Sequence, residues 1–191
     1  MTELKNLLNS FRLDPEDLVE LFIDVEPKPV QSVRYAARAG YVQTFQPKKQ
    51  KEWKARVKTS VQQQLPIGFK KFGINDYIAV SVLYVFEPVS NLKKSEKALI
   101  ESGGFILKNK KPDVNDNLNK GLFDALTGVL WEDDSRVVHV EATKVYGNRT
   151  GMCITAGKVN NSIKILDYIS ERLIPDCLRE IHDKFESEDE R

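Results

Sequence analysis

The sequence predicts an α+β fold, a two-layer α/β sandwich in which a mixed β-sheet carries helices packed on it. Apolar residues alternate with polar ones over 19–26 and 136–145, recur every four residues over 53–65, and run almost unbroken over 77–86. Alternation marks a half-buried strand, four-residue recurrence an amphipathic helix, and a short continuous run a strand covered on both faces.

Taken in order, residues 4–11 suggest a short helix, and Val19, Leu21, Ile23 and Val25 make a strand that stops at Pro27-Lys28-Pro29. Residues 33–45 read as an extended segment turning at Ala39-Gly40. From Pro47 the period becomes helical through Trp53, Val57, Val61 and Leu65, with Pro66-Ile67-Gly68 ending the helix. Residues 77–86 form a central strand closed by Pro88. A lysine-rich surface excursion follows over 89–111, with a helical turn near 93–100. A helix over 116–127 carries the stripe Leu118, Leu122, Ala125 and Leu126, with Gly128 as its C-terminal cap. Residues 136–145 and 152–156 read as the two strands of a hairpin. Residues 162–185 are helical in pattern and divided by Pro175. The expected organisation is an N-terminal helical extension (1–18), one main domain (19–156), a C-terminal helical extension (157–186) and an acidic tail (187–191).

With 191 residues and 41% hydrophobic composition, the chain can bury a core without disulfides. Cys153 and Cys177 have no Cys or His at zinc-ligand spacing. The first ten residues lack the pattern of a signal peptide, and no apolar run reaches the roughly 20 residues of a membrane span. These features lead to the expectation of a reduced, cytoplasmic setting without a membrane partner. There is no phosphate-binding Gly-Lys-Ser/Thr loop, so no nucleotide cofactor is expected. The net charge of +1 conceals segregation: Arg34, Arg38, Lys48, Lys49, Lys51, Lys54, Arg56 and Lys58 are accompanied by one acid, Glu52. Lys93, Lys94 and Lys97 form a further basic group.

The chemistry is concentrated in 111–135. On a helix, Asp116, Lys120 and Asp124 share the face opposite the apolar stripe. Asp133 and Asp134 feed the next strand, which brings all the acids together if that strand packs beside a strand ending near Asp113. Converging carboxylates stay ionised together only around a cation, and an all-oxygen set suits Mg2+, with Mn2+ as a substitute. Such an ion hydrolyses phosphodiesters, with Lys120 stabilising the negative charge of the transition state. A helix-capping Asp116, a Lys120–Asp124 pair and a solvated Asp133-Asp134 loop explain the same spacing equally well.

Lys-Pro-Asp at 111–113, Asp-Asn-Leu at 116–118, Lys120, Asp-Ala-Leu at 124–126, Gly128, Trp131 and Asp-Asp at 133–134 resemble the defining stretch of the RusA-like Holliday junction resolvases. The resemblance continues through Val137-Val138 and Lys144, and upstream through 27–34 and 49–53. It implies a homodimeric, metal-dependent endonuclease that resolves four-way DNA junctions by paired nicks in recombination and repair. A catalytically weak junction-binding protein and a structure-selective nuclease for forks and flaps are the alternatives. Carried over by position, Asp116 and Asp134 match metal-binding aspartates and Lys120 the catalytic lysine, with Asp133 a further candidate ligand. The family's first aspartate stands two positions before the one matched by Asp116; here that position is Val114, and Asp113 comes one residue earlier. A β-bulge at Val114-Asn115 is expected to absorb the extra residue and return Asp113 to the metal.

A two-fold dimer suits a junction of near two-fold symmetry. Phe123, outside the apolar stripe, is a candidate either for the dimer contact or for packing under a strand. Arg34, Lys48, Lys49, Lys51, Lys93 and Lys94 are the candidate DNA-binding residues, and branch shape is the expected source of selectivity. Trp53 and Trp131 are expected to anchor the core, and His139 and His182 to be structural.

Overall fold

The computed structural model describes residues 18–30, 34–38, 41–45 and 47–159, with 34–38 and 41–45 as backbone only. The helices expected at 4–11 and 162–185 and the acidic tail lie outside the described residues. The described elements are β1 (Val19–Ile23), β2 (Arg34–Arg38), β3 (Tyr41–Phe45), α1 (Lys48–Gln62), β4 (Tyr77–Phe86), α2 (Lys94–Glu101) and β5 (Ile106–Leu107). A π-helical turn (Val114–Asn119), α3 (Lys120–Leu126), a 3-10 turn (Asp134–Arg136), β6 (Val137–Tyr146) and β7 (Gly151–Val159) follow.

Five strands form a mixed sheet in the order β1-β7-β4-β6-β5, and β2 and β3 form a separate antiparallel ribbon. The mixed sheet and its helices are the expected α+β architecture. As predicted, β4 is central: its alternate residues Ile78, Val80, Val82 and Tyr84 are buried in the main core, and Ala79, Ser81 and Val85 between them are also buried. The core joins these residues to Trp53, Val57 and Val61 of α1, to Leu118, Leu122, Ala125 and Leu126, and to Met152, Ile154 and Ala156 of β7. Both tryptophans anchor it, Trp53 donating its indole N–H to the carbonyl of Glu26 at 2.8 Å. Phe123 is buried edge-on against Trp131, with ring centroids 5.4 Å apart, so packing is its role in the chain.

One expectation is corrected. Residues 136–145 and 152–156 do not pair as a hairpin; β6 lies parallel to β4 on one side, and β7 lies antiparallel to β4 on the other. The reason is burial: a strand as apolar as β4 removes most surface from water by lying between two neighbours. The β6–β7 connection passes the end of β4, where the N–H of Gly147 bonds to the carbonyl of Phe86 at 3.1 Å. A side chain at Gly147 would meet Val85 and Phe105 at under 3.0 Å, which accounts for glycine there.

Candidate active site

Asp113 begins the acidic stretch as the N-cap of the π-helical turn. Its Oδ1 accepts the backbone N–H of Asp116 at 3.0 Å and of Asn117 at 3.1 Å, and its Oδ2 accepts the Asn117 side-chain amide. Asp113 thus folds over the turn that carries Asp116 rather than facing away from it. The expected β-bulge is absent because the chain is helical from Val114 onward. The N–H of Leu118 reaches back five residues to the carbonyl of Asp113 at 3.3 Å. The hydrogen-bonded loop of a π turn is one residue longer than that of an α turn, so the extra residue is taken up in a widened helix and not in a bulged strand.

Four hydrogen bonds from three donors fix this turn. The ammonium of Lys144, on β6, donates to the carbonyls of Lys110 at 2.8 Å and Pro112 at 2.6 Å. The N–H of Val30 donates to the carbonyl of Asn117 at 3.1 Å. Tyr84, in β4, donates its phenol to Oδ1 of the buried Asn119 at 2.8 Å. Sequence reading missed both ends of this last bond, although a lone tyrosine in an aliphatic strand and an asparagine on a buried helix face were its signals.

The charges divide into committed and free ones. The Asn117 amide and the two backbone N–H groups hold the Asp113 carboxyl below its ordinary pKa. Asp116 and Lys120 are exposed. Asp124 is bound to Lys54 of α1 at 3.0 Å, so it ties two helices together rather than pairing with Lys120. Asp133 caps the 3-10 turn through the N–H of Ser135 at 2.8 Å, and its carboxyl is also held below its ordinary pKa by Ser135 first and by Arg136. Asp134 is exposed at the first position of that turn.

The expected convergence of Asp113, Asp116 and Asp134 does not occur within one chain. Among the described residues no group of three Asp, Glu, His or Cys side chains can share a metal ion. Lys144 sits beside Pro112, whereas Asp134 lies before Val137, and the strand between Val137 and Lys144 spans about 23 Å at roughly 3.3 Å per residue. The helical run from Val114 to Leu126 separates the two ends by a similar length, about 20 Å at 1.5 Å per residue. The residues present fit a magnesium ion held by one or two carboxylates and completed by substrate phosphate, the common arrangement for this ion. They do not fit a three-carboxylate cage within one chain.

Of the candidate DNA-binding residues, Lys49, Lys51, Lys93 and Lys94 are exposed, and Lys48 is exposed with Glu52 3.8 Å away. Arg34 lies in β2, described as backbone only. Lys54 and Lys58 differ: they lie half-buried on the inner flank of α1, Lys58 donating to the carbonyl of Thr127 at 3.4 Å. Among the described residues no helix is long and apolar enough to cross a membrane.

The uncharacterized protein YqaN of Bacillus subtilis (strain 168) is 33% identical over 135 residues, covering 68% of this chain and 89% of YqaN. The family model described as endodeoxyribonuclease RusA matches residues 24–156, from the end of β1 through most of β7. That match takes in β4, β5, β6, most of β7 and the entire acidic stretch, and the chain belongs to the RusA family of endodeoxyribonucleases.

Proposed function

We propose that this protein is a magnesium-dependent endonuclease that resolves four-way DNA junctions as a homodimer, in recombination and repair. The observation that carries the reading is the first turn after Pro112, where Asp113 and Asp116 share one helix start and Lys120 follows four residues beyond Asp116. Asp116 and Asp113 would hold Mg2+, with Mn2+ able to replace it. The bound ion supplies polarisation of a phosphate oxygen and a water acidic enough to attack phosphorus. Asn117 helps hold the Asp113 carboxyl below its ordinary pKa. Lys120 offers its ammonium to the extra negative charge on phosphate in the transition state.

Asp134 enters through the dimer. Since Asp134 joins no metal-holding group with Asp113 and Asp116 in its own chain, it serves the other copy's centre, and a two-fold axis then makes two identical sites. Asp133 orders the loop that presents it. Two sites related by one axis suit paired nicks across a branched substrate. Lys49, Lys51, Lys93 and Lys94, with Arg34 and Lys48, engage phosphates and set affinity, while branch shape sets selectivity.

The test is cleavage of a labelled four-way junction, a fork and a linear duplex, each with magnesium and with EDTA. Symmetric magnesium-dependent nicks confined to the junction are expected. Equal cutting of the fork indicates a general structure-selective nuclease, and binding without cutting in magnesium contradicts the catalytic assignment.

A further inference from the structure

Beside the carboxylate pair lies a cavity of about 440 Å³, lined by Pro29, Val30, Lys111, Pro112, Asp113 and Asn117. We infer that it is a subsite for one unstacked nucleotide of the DNA next to the cleaved phosphodiester, its base against Pro29 and Pro112 and its phosphate on Lys111. This rests on the nuclease reading and adds a subsite to it.

Size selects the occupant first. The volume falls at the low end of the roughly 300–1,000 Å³ typical of small-ligand sites, enough for a nucleotide unit and too small for a duplex. The lining is of the right chemistry: two proline rings and a valine give apolar surface for a base, and Lys111 supplies a positive charge on the same lining, beside the bonded pair Asp113 and Asn117. Lys111 is exposed and has no carboxylate partner among the described residues, so its charge is available to a phosphate.

The cavity is also held in shape. Lys144 grips the carbonyls of residues 110 and 112, on either side of Lys111, from a strand paired on both edges. The Val30 N–H bonds to the carbonyl of Asn117, which joins the other lining segment to the same turn. A subsite supported this way needs little rearrangement to accept its ligand. Its position against Asp113 makes the occupant the nucleotide flanking the reacting phosphate, and a base at a branch point has less stacking to give up than one within a duplex.

The test uses four-way junctions carrying 2-aminopurine singly at each position flanking the crossover, bound to the full chain in EDTA. Unstacking raises the fluorescence of this base. Wild-type protein is expected to raise it at least about twofold at one position. Val30→Phe, which fills the cavity, and Pro29→Ala, which removes one wall at an exposed residue, are expected to abolish that rise. Junction affinity should change less than about threefold, because phosphate contacts dominate it. Pro29→Ala keeps the test decisive if the bulkier change disturbs packing against Gly121. A rise that survives both variants, or no rise at any position with wild-type protein bound, overturns the subsite.

Nicking of the same junctions in magnesium separates this inference from the reading beneath it. Nicking without a fluorescence response removes the subsite and leaves the nuclease. A response without nicking supports the subsite while the catalytic reading fails, and the absence of both ends both.

Discussion

Tyr84 and Asn119 are joined inside the protein by a 2.8 Å hydrogen bond, phenol to side-chain oxygen, that fastens the residue before Lys120 to the central strand. Burial pushes the phenol far above its ordinary pKa, so it remains a donor across the physiological range. Tyr84→Phe removes the donor and leaves the Asn119 oxygen unsatisfied, at a cost of about 1–3 kcal/mol. Denaturant unfolding should show a lower midpoint at an unchanged slope; an unchanged midpoint contradicts the role given to this bond.

The Asn117 side-chain amide is the largest of the influences that hold the Asp113 carboxyl below its ordinary pKa. Because the folded carboxyl titrates below its unfolded value, its contribution to stability is present above the unfolded pKa and fades as pH falls through the folded one. At an exposed position that contribution is small, and titration is the direct readout. Asn117→Ala removes the largest cause of the depression, so the Asp113 carboxyl-carbon resonance should titrate at higher pH than in the wild type. An unmoved midpoint would show that the backbone N–H groups alone hold the charge.

On the proposed reading, exposure separates the lysines of α1 that can reach DNA from those that cannot. Lys49 and Lys51 face solvent, whereas Lys54 is bound to Asp124. Each of Lys49→Gln and Lys51→Gln should lower the slope of log affinity against log salt by about one, the loss of one phosphate contact. Lys54→Met should lower stability and leave that slope alone. Slopes unchanged from wild type in both Lys49→Gln and Lys51→Gln would remove α1 from the DNA interface.

The proposed sharing of each centre between two copies makes a prediction for mixed dimers. Asp116→Asn and Asp134→Asn homodimers should each fail to nick a junction. Co-refolded together, they form heterodimers in which one centre keeps both aspartates, and nicking of one strand should return. No recovery in verified heterodimers would mean that both aspartates serve the centre of their own chain.

Strand and helix periods were readable because burial imposes them: the stripe Leu118, Leu122, Ala125 and Leu126 and the unbroken run in β4 lie in the core as expected. The order of strands was not, since adjacency in sequence favours a β6–β7 hairpin and only the burial of β4 between them determines otherwise. At the site, the acids were visible as residue types, while their grouping depended on how far apart β6 holds Asp134 and Asp113. The register shift at Asp113 was legible; its solution by a π turn was not, because one extra residue fits a bulged strand or a widened helix, and Tyr84, Lys144 and Val30 favour the helix from outside the motif.

The most direct measurement is the single-turnover nicking rate of a four-way junction in magnesium, for wild type, Asp116→Asn and Asp124→Asn. Asp116→Asn is expected to lose at least about 10²-fold with its fold intact. Asp124→Asn, whose carboxylate serves Lys54, should stay within a few-fold of wild type. Wild-type nicking by Asp116→Asn would contradict the account.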